Sequence, residues 1–466
     1  MKILVAIASY GTGNATYLRR LIDEYRGMRF TVDIVVVSNI QKSLGPGIEV
    51  IVGLPSKDPW SLPFAHKKVF ADRADHYDLF IYSEDDTLIT ERNICAFLKA
   101  TEILPKDKIP GFLRSEVGPD GRKYYSTVHS HFHWEPSSVI TFGNYSFAFF
   151  TNEHSACYLI TREQLKEVIR SGNFVVGPHE GRYDLLVSAA TDPYTQCGFR
   201  KMVCFSHLED FTVQHLTNKY VGRIGVPAEE LQQQIDALPK VARNGAPENP
   251  LFNPETMLLH GRWSKNYYEP CRNELVALVP RWARTVLSVG CGCGYTEAEL
   301  VRKGMRVVGL PVDSVIAACA ESRGVEIVYG DFKAVRTSLA NERFDCVLMS
   351  DILHLVQDPT ETLASFAEVL CPTGVVLVAV PNLAQISTMW RRFRKDRGFE
   401  NLGSYEETGV HLTSRRVLFG WFRRCGLKVD RLTPIRPPRW NVAQRLSFGL
   451  LADLWASELV AVGSRV

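Results

Sequence analysis

The sequence predicts an α/β protein with two doubly wound domains. Three observations support this fold class. Apolar strands alternate with helical segments in both halves of the chain. A proline-rich stretch separates the halves, and no internal repeat relates them. The length of 466 residues also exceeds what one hydrophobic core accommodates. We therefore expect a first domain at residues 1–238, a linker at 239–258 and a second domain at 259–466.

The first half begins with a pattern typical of a parallel, helix-covered sheet. Its strands are expected at residues 3–9, 31–38, 48–52 and 79–82, with helices at 15–26 and 65–74. After residue 112 the sequence becomes aromatic and β-branched, which predicts an antiparallel insertion. The strands of this insertion are expected at residues 124–128, 139–142 and 147–150, followed by a helix at 161–170.

The second half repeats the alternation with different residues. The linker before it contains four prolines between residues 239 and 254 and shows no apolar periodicity. Strands are expected at residues 285–289, 306–310, 326–329, 345–349 and 374–380, and helices at 269–278, 296–302, 314–322 and 360–370. This order predicts a second doubly wound sheet.

The bulk composition excludes several classes of protein. Hydrophobic residues make up 45% of the chain and charged residues 23%, which excludes disordered and fibrous proteins. A net charge of +3 gives no overall bias toward nucleic acid. The eleven cysteines have no repeating spacing, so we expect reduced thiols and a cytoplasmic location. No apolar stretch of the sequence is as long as a transmembrane helix requires.

Three alternating glycines follow an apolar strand in the second half. Gly290, Gly292 and Gly294 open a strand-to-helix turn that presents backbone N–H groups and the positive end of a helix. Such a turn suits a nucleotide-like cofactor. It is not a P-loop, because no Lys-Ser or Lys-Thr pair follows it.

Further landmarks extend this turn into a family resemblance. The stretch from about residue 267 to 462 resembles a class I S-adenosylmethionine-dependent methyltransferase with a seven-stranded Rossmann-like sheet. The glycines match the first motif of that family, and Gly330-Asp331-Phe332 matches the loop whose acid meets the adenine amine. The strand at 344–348 and the segments 353–359 and 370–376 match the landmarks that follow. The resemblance implies S-adenosylmethionine as cofactor, with the three glycines, Asp313 and Asp331 as binding residues.

Two positions depart from the methyltransferase pattern. Ser288 stands where the family commonly has an acid, and Pro311 stands at the usual position of the ribose-binding acid. Asp313, two residues later, is expected to take over the ribose. His354 is a candidate general base for an acceptor hydroxyl, because imidazole titrates near neutrality. Alternatively, His354 caps the site or packs over the cofactor.

Three consecutive acids, Glu84, Asp85 and Asp86, follow a buried strand of the first half. Acids at the carboxyl end of a parallel sheet suit Mg²⁺ or Mn²⁺, which can neutralise a diphosphate. The alternative is that they cap the following helix. The cluster resembles the Asp-x-Asp motif of GT-A glycosyltransferases, and the resemblance covers roughly residues 1–235.

The GT-A resemblance implies further residues and ligands. It implies a nucleotide-sugar donor, and His215, preferred over His207, as the ligand that completes the metal site. Glu180 or Asp184 is the candidate general base on the acceptor side.

Two other polar groups are candidate binding elements. His129, His131 and His133 alternate, so a strand would place all three on one face, where they would contact a sugar acceptor or bind a metal. Between residues 381 and 440, 13 lysine and arginine residues stand against 5 acids, with tryptophan and phenylalanine interleaved. This region suits an anionic acceptor or a membrane surface, or it is a solvated helix face.

The sequence therefore predicts a bifunctional glycosyltransferase and methyltransferase. We expect it to act on a glycan or a lipid-linked glycan, with a peripheral membrane contact as an option and nucleic acid disfavoured. The alternative is a methyltransferase whose N-terminal domain only binds or docks.

Overall fold

The computed structural model describes residues 1–126, 128–129, 131–222, 224–244, 252–330, 332–435 and 452–466. The chain divides into two compact units, Met1–Ile235 and Asp236–Val466. Each unit contains its own sheets and buried apolar core. No described helix is both long enough and apolar enough to cross a membrane.

The elements of the first unit are mainly short strands. They are β1 Lys2–Ser9, α1 Ala15–Gly27, β2 Thr31–Ser38, β3 Ile48–Val52, α2 Ala65–Asp72, β4 Leu79–Glu84, β5 Thr87–Leu88, α3 Glu91–Ile103, β6 Lys108–Gly111, β7 Leu113–Val117, β8 Lys123–Tyr125, β9 Trp134–Phe142, β10 Tyr145–Phe150, β11 Cys157–Thr161, α4 Arg162–Arg170, α5 Leu185–Thr195, β12 Arg200–Cys204, β13 Thr212–His215, β14 Val226–Pro227 and α6 Ala228–Asn244, which continues into the second unit.

Three sheets make up the first unit. The main sheet has the order β11-β4-β1-β2-β3, in which β1 to β4 run parallel and β11 runs antiparallel. The residues of β1 after Lys2 are all buried, as expected for a strand covered on both faces. Two further sheets have the orders β6-β12-β10-β9 and β14-β8-β7-β13-β5. Strands β9 and β10 pair antiparallel, which confirms the expected antiparallel segment there.

The second unit alternates strands and helices. Its elements are α7 Asn273–Leu278, β15 Thr285–Cys291, α8 Tyr295–Arg302, β16 Arg306–Pro311, α9 Ala317–Ser322, β17 Glu326–Ile327, α10 Phe332–Leu339, β18 Phe344–Ser350, α11 Pro359–Ala367, β19 Leu370–Pro381, α12 Ile386–Phe393, α13 Tyr405–Thr408, α14 Arg415–Arg424, β20 Leu427–Ile435, α15 Ala452–Trp455 and β21 Glu458–Arg465.

One seven-stranded sheet forms the centre of the second unit. Its order is β17-β16-β15-β18-β19-β21-β20. The first five strands and β20 share one direction, whereas β21 runs antiparallel between β19 and β20. The predicted α/β fold with a Rossmann-like seven-stranded sheet is thereby confirmed for this unit. Strand β15 lies where the order reverses, with β16 on one side and β18 on the other.

The prediction that residues 129–133 form a strand is wrong. The described residues between Tyr125 and Trp134 form bends and turns, and β9 begins only at Trp134. His129 has a φ of 69°, in the left-handed region that an extended strand does not contain. The alternation of His129, His131 and His133 therefore does not place three imidazoles on one strand face.

Candidate functional site

The glycine turn lies at the carboxyl end of the central strand β15. Gly290 and Gly294 have φ values of 83° and 79°, and Gly294 is the N-cap of α8. A Cβ at Gly292 would lie 2.2 Å from the backbone oxygen of Tyr267, so no other residue fits there. Because its N-cap is a glycine, α8 has no N-cap side chain to accept from the N–H groups of its first turn. The bare turn and this helix end at a topological switch point fit a nucleotide-like cofactor.

Asp313 and Asp331 are the two acids predicted to bind that cofactor. Asp313 follows β16, and its Oδ1 accepts hydrogen bonds from the backbone N–H groups of Val315 at 2.9 Å and Ile316 at 2.7 Å. One oxygen of Asp313 thus orders its own turn, and its role toward a ribose stays a prediction. Asp331 lies outside the described residues.

The structure supplies an acid that the sequence reasoning missed. Ser288 Oγ donates a hydrogen bond of 2.6 Å to Glu297 Oε1, and both residues are buried. Glu297 lies in the first turn of α8, directly beyond the glycines. Burial raises the pKa of its carboxyl, and the hydrogen bond from Ser288 partly opposes that shift. The signal in the sequence that could have led to Glu297 was the serine at position 288, where the methyltransferase pattern commonly has an acid.

A partly buried ion cluster includes Asp351, the residue directly after β18. Arg272 forms ion pairs with Glu269 at 2.7 Å, with Asp351 at 3.1 Å and with Glu458 at 2.5 Å. Lys265 pairs with Glu269 at 2.8 Å and donates to the backbone oxygen of Ser350. Burial, followed by the charges of Glu269 and Glu458, raises the pKa of Asp351 to about 7. None of these residues belongs to the motifs recognised in the sequence.

His354 is buried between backbone segments. Its Nε2 lies 2.9 Å from the carbonyl oxygen of Trp263, so this nitrogen carries the proton and donates. Its Nδ1 has no hydrogen-bond partner in the described chain. Burial lowers the pKa of His354 to about 4, and the nearby charge of Lys265 acts in the same direction. The ring is therefore neutral at pH 7, with one nitrogen able to accept a proton.

The three acids of the first unit lie at the carboxyl end of β4. Asp85 accepts hydrogen bonds from Ser9 Oγ at 2.5 Å and from Asn14 Nδ2 at 2.7 Å, so it faces the end of β1. Oε1 of Glu84 and Oδ1 of Asp86 are buried without a hydrogen-bond partner in the described chain. Burial and the charge of Asp86 raise the pKa of Glu84 to about 8. A hard cation would satisfy such carboxylate oxygens.

His215 contacts one of these acids. Its Nε2 lies 3.1 Å from Asp86 Oδ2, and its Nδ1 lies 2.5 Å from Glu116 Oε1. Burial raises the pKa of Asp86, but the hydrogen bond and charge of His215 outweigh that effect and lower it overall. In the described residues of the first unit, no three candidate ligand atoms lie within 4.8 Å of one another. The structure thus pairs Asp86 with His215 without closing a full set around one point.

The other predicted residues of the first unit lie in different settings. Asp184 is the N-cap of α5, and its Oδ1 accepts from the N–H of Val187 at 3.0 Å. Glu180 is half-buried in the loop before α5. His207, the second choice for a metal ligand, stacks on Tyr145 with ring centroids 4.5 Å apart. Their predicted roles remain untested by these contacts.

Arg114 is a cation that the sequence reasoning missed. It is buried on β7, two residues before Glu116, and its guanidinium lies 5.4 Å from the ring centroid of Tyr220. Its charge lowers the pKa values of both Glu84 and Asp86. No carboxylate in the described chain lies within ion-pair distance of it. The signal available in the sequence was a pair of charged residues, Arg114 and Glu116, within the short strand β7.

The sheet order and the glycine turn of the second unit define a class I S-adenosylmethionine-dependent methyltransferase. Comparisons with known proteins agree with this class. The methyltransferase domain family matches residues 236–432. A ubiquinone biosynthesis O-methyltransferase of Cereibacter sphaeroides is 33% identical over 184 residues, which cover 37% of this chain and 73% of that protein.

Two further comparisons have different extents. The corresponding enzyme of another Cereibacter sphaeroides strain is 32% identical over 113 residues, so the chain spans about half, 46%, of that relative and 23% of its own length is matched. The solved S-adenosylmethionine-dependent methyltransferase of Mesorhizobium loti is 16% identical, with 41% of this chain and 96% of that chain covered and a TM-score of 0.30. Through its second unit, the chain belongs to the methyltransferase family that includes the ubiquinone biosynthesis enzymes.

Proposed function

We propose that this methyltransferase is a bifunctional enzyme of glycan synthesis. Its first unit transfers a sugar from a nucleotide-sugar donor, and its second unit transfers a methyl group to the same glycan or lipid-linked glycan. The observation that carries the first activity is the pair of buried, unpartnered carboxylate oxygens on Glu84 and Asp86, with His215 bound to Asp86.

Each charged group near β4 has a role in this proposal. Asp86, Glu84 and His215 would hold Mn²⁺ or Mg²⁺, and the charge of the ion would neutralise the donor diphosphate. Arg114 lies near these acids without a carboxylate partner, so its donors remain available for a phosphate oxygen. Asp85 stays with Ser9 and Asn14 at the end of β1. Glu180 or Asp184 accepts the proton of the acceptor hydroxyl.

The second activity uses the glycine turn and His354. S-adenosylmethionine supplies an electrophilic methyl group when it is bound at Gly290, Gly292 and Gly294. His354 is neutral at pH 7 and offers Nδ1 to the proton of an acceptor hydroxyl. The relatives are named O-methyltransferases, which supports an oxygen acceptor.

A surface on α12 supports a lipid-linked acceptor. Ile386, Met389, Trp390 and Phe393 follow the i, i+3, i+4, i+7 spacing of one helix face, with exposed fractions from 42% to 79%. The segment from residue 386 to 395 carries four basic residues and no acid. This combination suits an anionic lipid surface and a peripheral membrane contact on the cytoplasmic side.

Donor binding tests the first activity. A panel of nucleotide sugars is screened by thermal shift with and without Mn²⁺ on the full chain. We expect one donor to raise the melting temperature only in the presence of Mn²⁺, and Asp86→Asn to abolish that shift. Asp23→Asn, at an exposed position of α1, is the matched control and keeps it. A wild-type protein that no donor stabilises with Mn²⁺ contradicts the glycosyltransferase proposal.

A second candidate function is a methyltransferase with a non-catalytic N-terminal docking unit. The observation that favours it is the absence of three converging ligand atoms in the described part of that unit. Labelled S-adenosylmethionine distinguishes the two when it is incubated with a cell-envelope extract and the donor panel. Methyl transfer that never depends on a donor or on Asp86 supports the docking function.

A further inference from the structure

Glu297 is a buried acid without a counter-ion of its own. It is 6% exposed, and its hydrogen-bond partner is a neutral hydroxyl, Ser288 Oγ at 2.6 Å. In the part of the chain that the structure describes, no lysine or arginine nitrogen lies within 4.0 Å of its carboxylate. The nearby Lys265 is already paired with Glu269 and with the oxygen of Ser350.

Burying a carboxylate without a cation is unfavourable. The positive end of α8 offsets only a small part of that cost. A glutamine at position 297 would accept the same hydrogen bond from Ser288 and would join α8 to β15 without a charge. The hydrogen bond between Ser288 and Glu297 therefore does not by itself explain an acid at position 297.

The position of Glu297 relates the acid to the cofactor site. Ser288 lies on β15 two residues before Gly290, and Glu297 lies three residues after Gly294, so the pair brackets the glycine turn. Cys291 lies inside the turn, and burial raises the pKa of its thiol. The charge of Glu297 raises this pKa further. S-adenosylmethionine carries two positive groups, a sulfonium and an α-ammonium, against one carboxylate. A fixed anion beside the turn has such a ligand as its natural counter-charge.

We propose that Glu297 supplies the negative charge of the cofactor site, in place of an acid at position 288, and that Ser288 is the positioning residue that orients its carboxylate. The inference rests on the methyltransferase function of the second unit. It assigns the recognition of the cationic cofactor to a residue outside the glycine motif. Because the interaction is with charge, it favours the sulfonium of S-adenosylmethionine over the neutral thioether of S-adenosylhomocysteine.

Calorimetric binding of both ligands to the full chain tests the inference. We expect Glu297→Gln, which keeps the shape and the hydrogen bond, to weaken S-adenosylmethionine about tenfold and S-adenosylhomocysteine clearly less. The ratio of the two affinities is the decisive readout, because a merely structural defect weakens both ligands equally. Glu299→Gln is the matched control, since Glu299 lies on the same helix and pairs with Arg302.

A rescue variant completes the test. Ser288→Asp combined with Glu297→Gln moves the acid from the helix to the strand, and we expect it to recover most of the lost affinity for S-adenosylmethionine. An unchanged affinity ratio in Glu297→Gln overturns the inference while leaving the methyltransferase function intact. Failure of the wild-type protein to bind either ligand instead overturns the function on which the inference rests.

Discussion

The protonation of His354 has a measurable consequence for stability. Its pKa is about 4 in the folded protein and near 6.5 in an unfolded chain. Between these values the unfolded state binds more protons, so the free energy of unfolding falls as the pH drops from 6.5 toward 4. Between pH 7 and pH 5 this one residue accounts for a loss of about 2 kcal/mol.

His354→Gln removes that titration and retains a donor for the oxygen of Trp263. Urea unfolding at pH 7 and pH 5 should therefore show a loss between the two pH values that is about 2 kcal/mol smaller in the variant than in the wild type. Equal losses in both proteins would mean that the pKa of His354 in the folded protein is close to that in an unfolded chain. The buried, unpartnered Nδ1 argues against that result.

Single residues show where sequence reasoning succeeds and where it ends. The spacing of the three glycines was enough to predict a turn. It does not explain why position 292 requires glycine, which is that a Cβ there would lie 2.2 Å from the backbone oxygen of Tyr267. Ser288 was recognised as a departure. Its partner Glu297, nine residues away, was not predicted, because the hydrogen bond depends on how α8 packs against β15, which the sequence alone does not show.

At the scale of elements, α12 carries an exposed apolar face. Trp390 and Phe393 stack on that face with ring centroids 5.9 Å apart, and only Thr388 of the helix is buried. Each basic residue near an anionic bilayer contributes about 1 kcal/mol, so the four basic residues of segment 386–395 suffice for measurable binding. We expect the full chain to sediment with phosphatidylglycerol vesicles and not with phosphatidylcholine vesicles.

Variants on α12 test this contact. Trp390→Glu should reduce the vesicle-bound fraction at least about fivefold, since it puts a charge on the apolar face. Trp282→Glu is the control, because Trp282 is an exposed tryptophan of the same unit outside the helix, and it should bind as the wild type does. Equal binding by both variants contradicts the membrane contact. A wild-type dimer that Trp390→Glu converts to a monomer would instead assign the face to a second copy of the chain.

Elements with a strong local pattern were predictable, and those set by distant contacts were not. Strand β1, which is apolar from Ile3 to Ala8, and the alternation around β15 lie where the sequence predicted them. The alternating histidines 129, 131 and 133 mimic a strand, but the chain turns there, as the φ of His129 shows. The predicted helix at 269–278 begins only at Asn273, because Pro270 disfavours helical backbone at the residue before it, Glu269.

At the scale of the whole molecule, the two units have separate cores. The core of the first unit is built from β1, β2 and β4 with the helices that cover them, and that of the second unit from β15, β18 and β19. Ligands that bind only the folded state stabilise the unit that contains their site. The two proposed activities therefore predict two ligand responses that are independent of each other.

Differential scanning calorimetry of the full chain measures these responses. At a hundred times its dissociation constant a ligand adds about 2.7 kcal/mol, which raises the midpoint of a unit of this size by roughly 5–10 °C. S-adenosylhomocysteine should raise one transition, and a nucleotide sugar with Mn²⁺ the other. Asp86→Asn should remove only the second response. A single transition that both ligands shift would contradict independent units, because coupled cores unfold together and share the stabilisation that either ligand provides.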